Sequence, residues 1–344
     1  MDMKDVRKTA KERMKGYCRM CPICDGRACS GEVPGMGGLG TGVAFRNNVT
    51  ALKAVQLNMR LLHDATEPDT STKALGLDLS LPVMAAPIGG VSFNMGGAIS
   101  EDAYIDAVLG GCKSRGIIGA TGDGVPPFIV DAAMGGVKKL DGHGIPFIKP
   151  WDGAELKEKF DLAFSTGAKI YGMDVDAAGL ITLRKMGRPV SPKPPVELKK
   201  IIDMVHEKGA KFILKGVMTV DEAEKAIEIG ADAIVVSNHG GRVLDHAPGT
   251  ATVLPAIADA VKGKICIIVD GGVRDGVDVL KMIALGAELV MIGRPFSQAA
   301  VGGEQEGVEA FIDQLTAQLT QAMVLTGCQT IDSVGRHILY GMTK

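Results

Sequence analysis

Ser237-Asn238-His239-Gly240-Gly241-Arg242 follows directly on the apolar run Ala233-Ile234-Val235-Val236, so an imidazole and a guanidinium arrive together where a buried strand ends. The glycine pair adds no bulk to bury the imidazole and lets a ligand approach the backbone. Imidazole is also the side chain whose proton affinity suits base catalysis near neutral pH. Two later segments, Asp270-Gly271-Gly272-Val273-Arg274 and Gly293-Arg294-Pro295, also place glycine and arginine after apolar runs. Glycine N–H groups can converge on one anion, and Arg274 and Arg294 add charge-assisted bonds. Together the two segments read as a phosphate-group site. Lys215 ends the run Phe212-Ile213-Leu214. A buried ammonium there needs an anionic or electron-rich partner, for which a reduced flavin ring and a Schiff-base substrate are the competing uses.

A second group of reactive side chains lies far from these. Cys18, Cys21, Cys24 and Cys29 fall within twelve residues, and seven cysteines in all make an odd number that suggests no disulfide framework. Four thiolates so close suit an iron–sulfur cluster or a zinc ion better than four buried thiols, with redox-exchanging thiols as the other reading. Cys112, Cys266 and Cys328 stand singly inside predicted elements and read as core.

Positioning these groups requires a repeating scaffold, and one is visible from about residue 80 onward. Strands are predicted at 83–86, 116–120, 146–149, 169–174, 211–215, 232–237, 264–270 and 288–292. Helices are predicted at 101–113, 127–139, 153–165, 195–208, 220–229, 252–261, 276–285 and 308–325. Strand and helix in strict alternation imply parallel pairing with right-handed crossovers, and eight repeats favour a closed (β/α)8 TIM barrel over an open sheet. Pro87, Asp123, Lys149, Asp176, Lys215, His239, Asp270 and Gly293 all fall at or just past strand ends, on the rim where barrels of this kind build their sites. Residues 1–79 read as an N-terminal extension carrying the cysteine cluster, a glycine-rich loop (Gly35 to Gly42), a helix near 47–59 and a hairpin-like cover at 80–82. Residues 80–344 read as the barrel domain.

Composition narrows the function. A formal charge of −2 gives no electrostatic footprint for nucleic acid or an anionic membrane surface. No apolar run approaches a membrane span and no signal-peptide pattern is present, so a cytoplasmic protein acting on a small molecule is expected.

Four segments carry a resemblance. Lys215-Gly216-Val217-Met218-Thr219, Ser237 through Asp245, Asp270 through Gly276 and Ile292-Gly293-Arg294-Pro295 are similar to the matching segments of the FMN-dependent 2-hydroxy-acid oxidases and dehydrogenases, the glycolate oxidase and lactate oxidase group. The similarity runs over residues 66–330 and is strongest after residue 211. It implies FMN, with its phosphate at Gly272, Arg274, Gly293 and Arg294, Gly271 also against the cofactor, its ribityl chain near Asp270, and Lys215 and Ser237 at the ring. Ala86-Pro87-Ile88-Gly89 resembles the strand that backs the flavin. His239 would take a proton from a substrate 2-hydroxyl, Arg242 would hold the substrate carboxylate, and Asp176 would stand against the histidine. The resemblance also implies a homo-oligomer, a tetramer by analogy.

The pattern departs from the family mainly on the substrate side. Pro34-Gly35-Met36-Gly37-Gly38 lacks the family's tyrosine; Lys149 and Trp151 stand for a glutamine and a tyrosine; Asp174 replaces a threonine. A second arginine has no clean counterpart, with Arg184 and Arg188 as candidates. Lys149 could supply the missing positive charge or face the flavin. Two rival readings follow: a flavin isomerase resembling type II isopentenyl-diphosphate isomerase, and a non-catalytic flavin- or metal-binding regulatory protein.

Overall fold

Ten strands form among the described residues, and eight of them close on themselves. The structure is a computed structural model that describes residues 1–188 and 190–342. A small antiparallel pair, β1 (Thr72–Ala74) and β2 (Leu77–Leu79), precedes β3 (Val83–Ile88), β4 (Ile118–Thr121), β5 (Ile145–Ile148), β6 (Ile170–Asp174), β7 (Lys211–Val217), β8 (Ala233–Val236), β9 (Cys266–Val269) and β10 (Leu289–Ile292). From β3 to β10 every strand pairs in parallel with the next, and β10 returns to β3, which closes the expected barrel. The crossovers carry α4 (Glu101–Ser114), α5 (Pro127–Lys139), α6 (Gly153–Phe164), α8 (Pro195–His206), α9 (Val220–Glu228), α10 (Thr250–Val261) and α11 (Gly276–Ala284), and α12 (Arg294–Thr326) follows β10. Two short helices, α3 (Val91–Asn94) and α7 (Ile181–Lys185), sit in the loops after β3 and β6, and α1 (Met3–Arg13) and α2 (Val43–Ala54) belong to the extension.

Side-chain alternation decides what the barrel holds. Successive residues of a strand face opposite sides, and one parity of each strand fills an interior core of Met84, Ile118, Phe147, Ile170, Ile213, Val235, Ile268 and Met291. The other parity packs against the helices, as Val83, Phe212, Ile234 and Val290 do. Carried two residues further toward the strand ends, the inward parity delivers Lys149, Lys215, Ser237, Asp270 and Gly293, and four residues beyond Ile170 it delivers Asp174. An apolar floor therefore passes directly into a polar layer at the mouth.

The opposite end is shut. Ala74 and Leu79 of the β1–β2 pair join the interior core, with Leu75 and Leu77 packed against it. This hairpin, at residues 72–79, replaces the cover expected at 80–82. The extension's helix also differs from expectation: α2 begins at Val43 and ends at Ala54, where Val55 is extended. Asp245 fixes its start, accepting from the N–H groups of Thr41 (2.6 Å), Val43 (3.1 Å) and Ala44 (3.4 Å). No residue of the sequence pattern before Asn47 marks that start, because the capping carboxylate comes from two hundred residues away.

The last helix also begins earlier than expected. The sequence places it at 308–325, whereas α12 starts at Arg294 and bends at Gly303 and Glu304, whose dihedrals leave the helical region. The first segment of α12 therefore aims its N-terminus at the mouth, a position that favours anions. No helix among the described residues is long and apolar enough to cross a membrane.

Candidate active site

One cavity at the strand ends is lined by residues from the rim and from the extension, among them Lys149, Lys215, His239, Arg242, Arg274 and Arg294. The segment Ala86-Pro87-Ile88-Gly89 and the turns Asp270-Gly271-Gly272 and Gly293-Arg294 line the same space. The site residues read from three motifs thus share one opening.

Half of the mouth is an ion-paired network. Lys215 is buried at 3% exposure, so its ammonium needs carboxylates at hand. Asp270 and Asp176 stand 3.5 and 3.9 Å from its Nζ, which also donates to Ser237 Oγ at 3.0 Å. Ser237 Oγ passes the chain on to Asp270 Oδ2 at 2.8 Å. Burial would pull the Lys215 ammonium down, but Asp176, Asp270 and Asp174 hold it above the usual lysine range. Next to it Lys149 Nζ meets Asp174 Oδ2 at 3.1 Å, so Lys149 faces the cavity already paired.

His239 is built into this network. Its Nδ1 lies 3.0 Å from Asp176 Oδ1, and its own N–H donates to Ser237 Oγ at 3.0 Å. Burial pushes the Asp176 carboxyl up, yet Lys215 and His239 pull it further the other way, below the usual carboxylate range. An ionised carboxylate only accepts, so Nδ1 carries the hydrogen, and in the neutral imidazole Nε2 then keeps its lone pair. His239 has φ +56°, the left-handed region that glycine usually fills. Two residues on, Gly241 has φ +79°, and a Cβ there would run into the backbone of Phe45 at the start of α2. The histidine loop is thus shaped by the extension lying against it, and Asn48 of α2 braces it further with paired amide bonds to Asn238 of 2.8 and 3.0 Å.

The other half is cationic. Arg242 donates to the carbonyls of Gly35 and Gly37 and to Asn94 Oδ1 (3.0 Å). Arg294 donates to the carbonyls of Met36 (2.7 Å), Gly37 (3.0 Å) and Gly240 (3.1 Å) and stacks 3.9 Å over the Phe45 ring. Arg274 donates to the carbonyls of Val273 and Cys24. Among the described residues none of these guanidinium groups has a carboxylate partner. Burial brings Arg242 down to about 10; burial, with Arg242 and Arg274 nearby, brings Arg294 down to about 9.

Several sequence readings need correction. Trp151 does not line the cavity: it is buried, and its Nε1 donates at 2.5 Å to Oδ2 of Asp123, which does line it. Arg188 pairs with Glu155 at the surface and Arg184 is exposed, so neither supplies a second arginine to the cavity. Cys18, Cys21, Cys24 and Cys29 are all free thiols. They do not converge as one mononuclear metal site would require, since the ligand atoms that lie within 4.8 Å of one another, among the described residues, are those of Asp174, Asp176 and His239. Lys149 and Lys215 already neutralise that acidic group. Asn94 was not singled out in the sequence, yet it accepts from both Arg242 and the Gly35 N–H. No local pattern marks it, because its partners come from distant loops. Thr121 Oγ1 and Asp270 Oδ1, both buried, have no hydrogen-bond partner.

Comparison with known proteins gives this geometry its context. The FMN-dependent dehydrogenase family matches residues 35–109 and 157–341. The L-lactate oxidase of Lactobacillus jensenii is 33% identical over 84% of this chain and 76% of its own length. Among solved structures, the lactate oxidase of Pediococcus acidilactici superposes with a TM-score of 0.79 at 25% identity, covering 100% of this chain and 95% of that one. A mandelate oxidase with benzoyl-formic acid gives 0.76 at 27% identity, covering 97% and 96%. With its eight-stranded barrel and its matched loops, the chain belongs to the FMN-dependent dehydrogenase family.

Proposed function

We propose that the cavity binds FMN and a small 2-hydroxy acid, and that the enzyme oxidises the acid to the 2-oxo acid. The observation that carries this reading is the arginine trio, three guanidinium groups without a carboxylate, beside a histidine already paired to an ionised aspartate. Half-buried cations of that kind, without carboxylates, call for anions, and a flavin phosphate and a substrate carboxylate are two.

The residues present fit FMN. Gly271 and Gly272 have φ of +99° and +86°, and a Cβ at Gly272 would lie 2.7 Å from the Asn48 carbonyl, so only glycine makes this cradle. Gly271, Gly272, Arg274, Gly293, Arg294 and the N-terminus of α12 would hold the phosphate. The unpartnered Oδ1 of Asp270 suits a ribityl hydroxyl, and Ala86, Pro87, Ile88 and Gly89 would back the ring, with Lys149, Lys215 and Ser237 at its polar edge. When bound, FMN supplies the acceptor for a hydride from the substrate carbon.

His239 Nε2 would take the hydroxyl proton while Arg242 holds the carboxylate as a bidentate pair. Three carboxylates (Asp174, Asp176, Asp270) face two ammonium groups (Lys149, Lys215), so the network carries one surplus negative charge while the imidazole is neutral. A proton arriving on His239 cancels it. Val125, Ile129, Leu180, Leu183 and Met186 form an apolar wall of the cavity, which favours acids with an apolar side chain over glycolate. The match to a dehydrogenase family disfavours the isomerase reading.

Anaerobic addition of (S)-lactate, glycolate or (S)-mandelate to the FMN-loaded protein tests the proposal. Bleaching of the oxidised flavin band is expected, fastest with the bulkier acids; a flavin that no 2-hydroxy acid reduces sinks it. The same reading extends to a division of labour in which residues 1–79 cover the barrel of residues 80–344, and to a cytoplasmic homo-oligomer whose mass light scattering would measure.

A further inference from the structure

Cys18, Cys21, Cys24 and Cys29 have no part in the chemistry proposed above, yet the fold gathers them at one corner. They lie on the irregular segment after α1, each partly exposed. Gln298, which lines one cavity together with Cys21 and Cys24, donates to Cys18 Sγ at 3.5 Å. The backbone around the cysteines is fastened by arginines that do not bond sulfur. Arg7 donates to the carbonyls of Met20 and Cys21 (3.4 and 3.1 Å) and Arg274 to that of Cys24 (3.3 and 3.2 Å). Arg19 clamps Glu32 through two bonds of 2.7 and 2.6 Å.

Spacing separates the metal chemistries. A tetrahedral zinc ion with Zn–S near 2.3 Å needs its sulfurs within about 4 Å of one another. No three of these thiols lie within 4.8 Å of one another. A cuboidal iron–sulfur cluster carries its thiolates on outer corners and holds them wider apart. Room exists beside them: a cavity of about 390 Å³ is lined by Cys21, Cys24, Arg7, Lys53, Arg274 and Lys281. Asp275 and Asp278 line it too, with Lys281 3.8 Å from Asp278, so the four cations exceed the carboxylates by two and offset part of the negative charge that four thiolates bring.

We propose that Cys18, Cys21, Cys24 and Cys29 bind one four-iron iron–sulfur cluster, seated against the outer side of the turn that carries Gly272 and Arg274. Gly272 and Arg274 line both this cavity and the one at the mouth, so a single turn separates the cluster from the flavin site.

The test uses the full chain purified without oxygen, with iron, zinc, acid-labile sulfide and FMN each assayed per chain. About four iron and about four sulfide are expected, with a broad visible absorbance that dithionite bleaches and a paramagnetic signal in the reduced protein. Cys21→Ser and Cys24→Ser should each lose the iron, whereas Cys266→Ser, on the barrel strand β9, should keep it. Circular dichroism separates loss of the cluster from loss of the fold. One zinc per chain overturns the proposal, as do four titratable thiols without iron after reconstitution with ferrous iron and sulfide. FMN content is scored separately, so the cluster stands or falls independently of the flavin reading.

Discussion

The two halves of the barrel mouth solve the problem of buried charge in opposite ways. Around Lys149, Asp174, Asp176, Lys215 and Asp270 every ammonium has a carboxylate within 3.9 Å. Around Arg242, Arg274 and Arg294 the cations meet carbonyl oxygens, Asn94 and the Phe45 ring, with no carboxylate partner among the described residues. In the first half the protein alone pairs every ammonium, leaving Asp270 Oδ1 open to a ligand, and the network can hold a proton in a defined place. The second is complete only with ligands, and its charge excess specifies what they must be.

The largest effect should come from removing the base that joins the halves. His239→Gln is expected to lower kcat by about 10²–10⁴-fold, the usual contribution of a positioned general base, while FMN stays bound; rapid-mixing measurement of flavin reduction checks both. If the rate is unchanged, the paired half has another purpose. Next, Lys149→Met leaves Asp174 buried at 4% exposure with no partner, at a cost of about 3–5 kcal/mol in urea unfolding. Lys149→Gln together with Asp174→Thr removes both charges and should recover most of that loss. Failure of the double variant to recover would show that the pair does more than neutralise itself.

The arginine half predicts the contrary pattern. Arg274→Ala should weaken FMN binding by about 10–100-fold, the worth of one or two charged hydrogen bonds, while the FMN-free protein unfolds within about 1 kcal/mol of wild type. An equally large loss in the FMN-free protein would erase the distinction between the halves. The smallest effect concerns Asp245, which caps α2 and so ties the extension to the histidine loop. Asp245→Ala should cost about 1 kcal/mol. Although burial opposes it, the bonds from Thr41, His246 and Ala44 hold this carboxyl at about 2, against an ordinary 3.8. Its stabilisation is then present above pH 4 and lost as pH falls toward 2, so the gap between wild type and variant in urea midpoint should close over that interval.

The barrel was legible because alternation is local: runs such as Phe212-Ile213-Leu214 and Ala233-Ile234-Val235-Val236 declare buried strands, and the polar residue that follows declares the rim. The motif residues His239, Arg242, Arg274 and Arg294 were legible for the same reason. What failed depended on partners far away in the chain. Asn94 and Asn48 look like ordinary helix residues until Arg242 and Asn238 meet them. Trp151 invites a place in the cavity, but Asp123, twenty-eight residues earlier, takes its indole N–H and lines the cavity in its stead. The early start of α12 was hidden because Arg294-Pro295 reads as a turn, although proline is well suited to a first helical turn.

The backbone of His239 has a last consequence. A side chain in the left-handed region costs on the order of 1 kcal/mol relative to glycine, so the protein keeps its imidazole at the expense of its own resistance to unfolding. Asparagine tolerates that conformation best among residues with a side chain. An inert His239→Asn enzyme should therefore melt no earlier than the active one, and a screen for thermal robustness alone would drift toward proteins that no longer turn over.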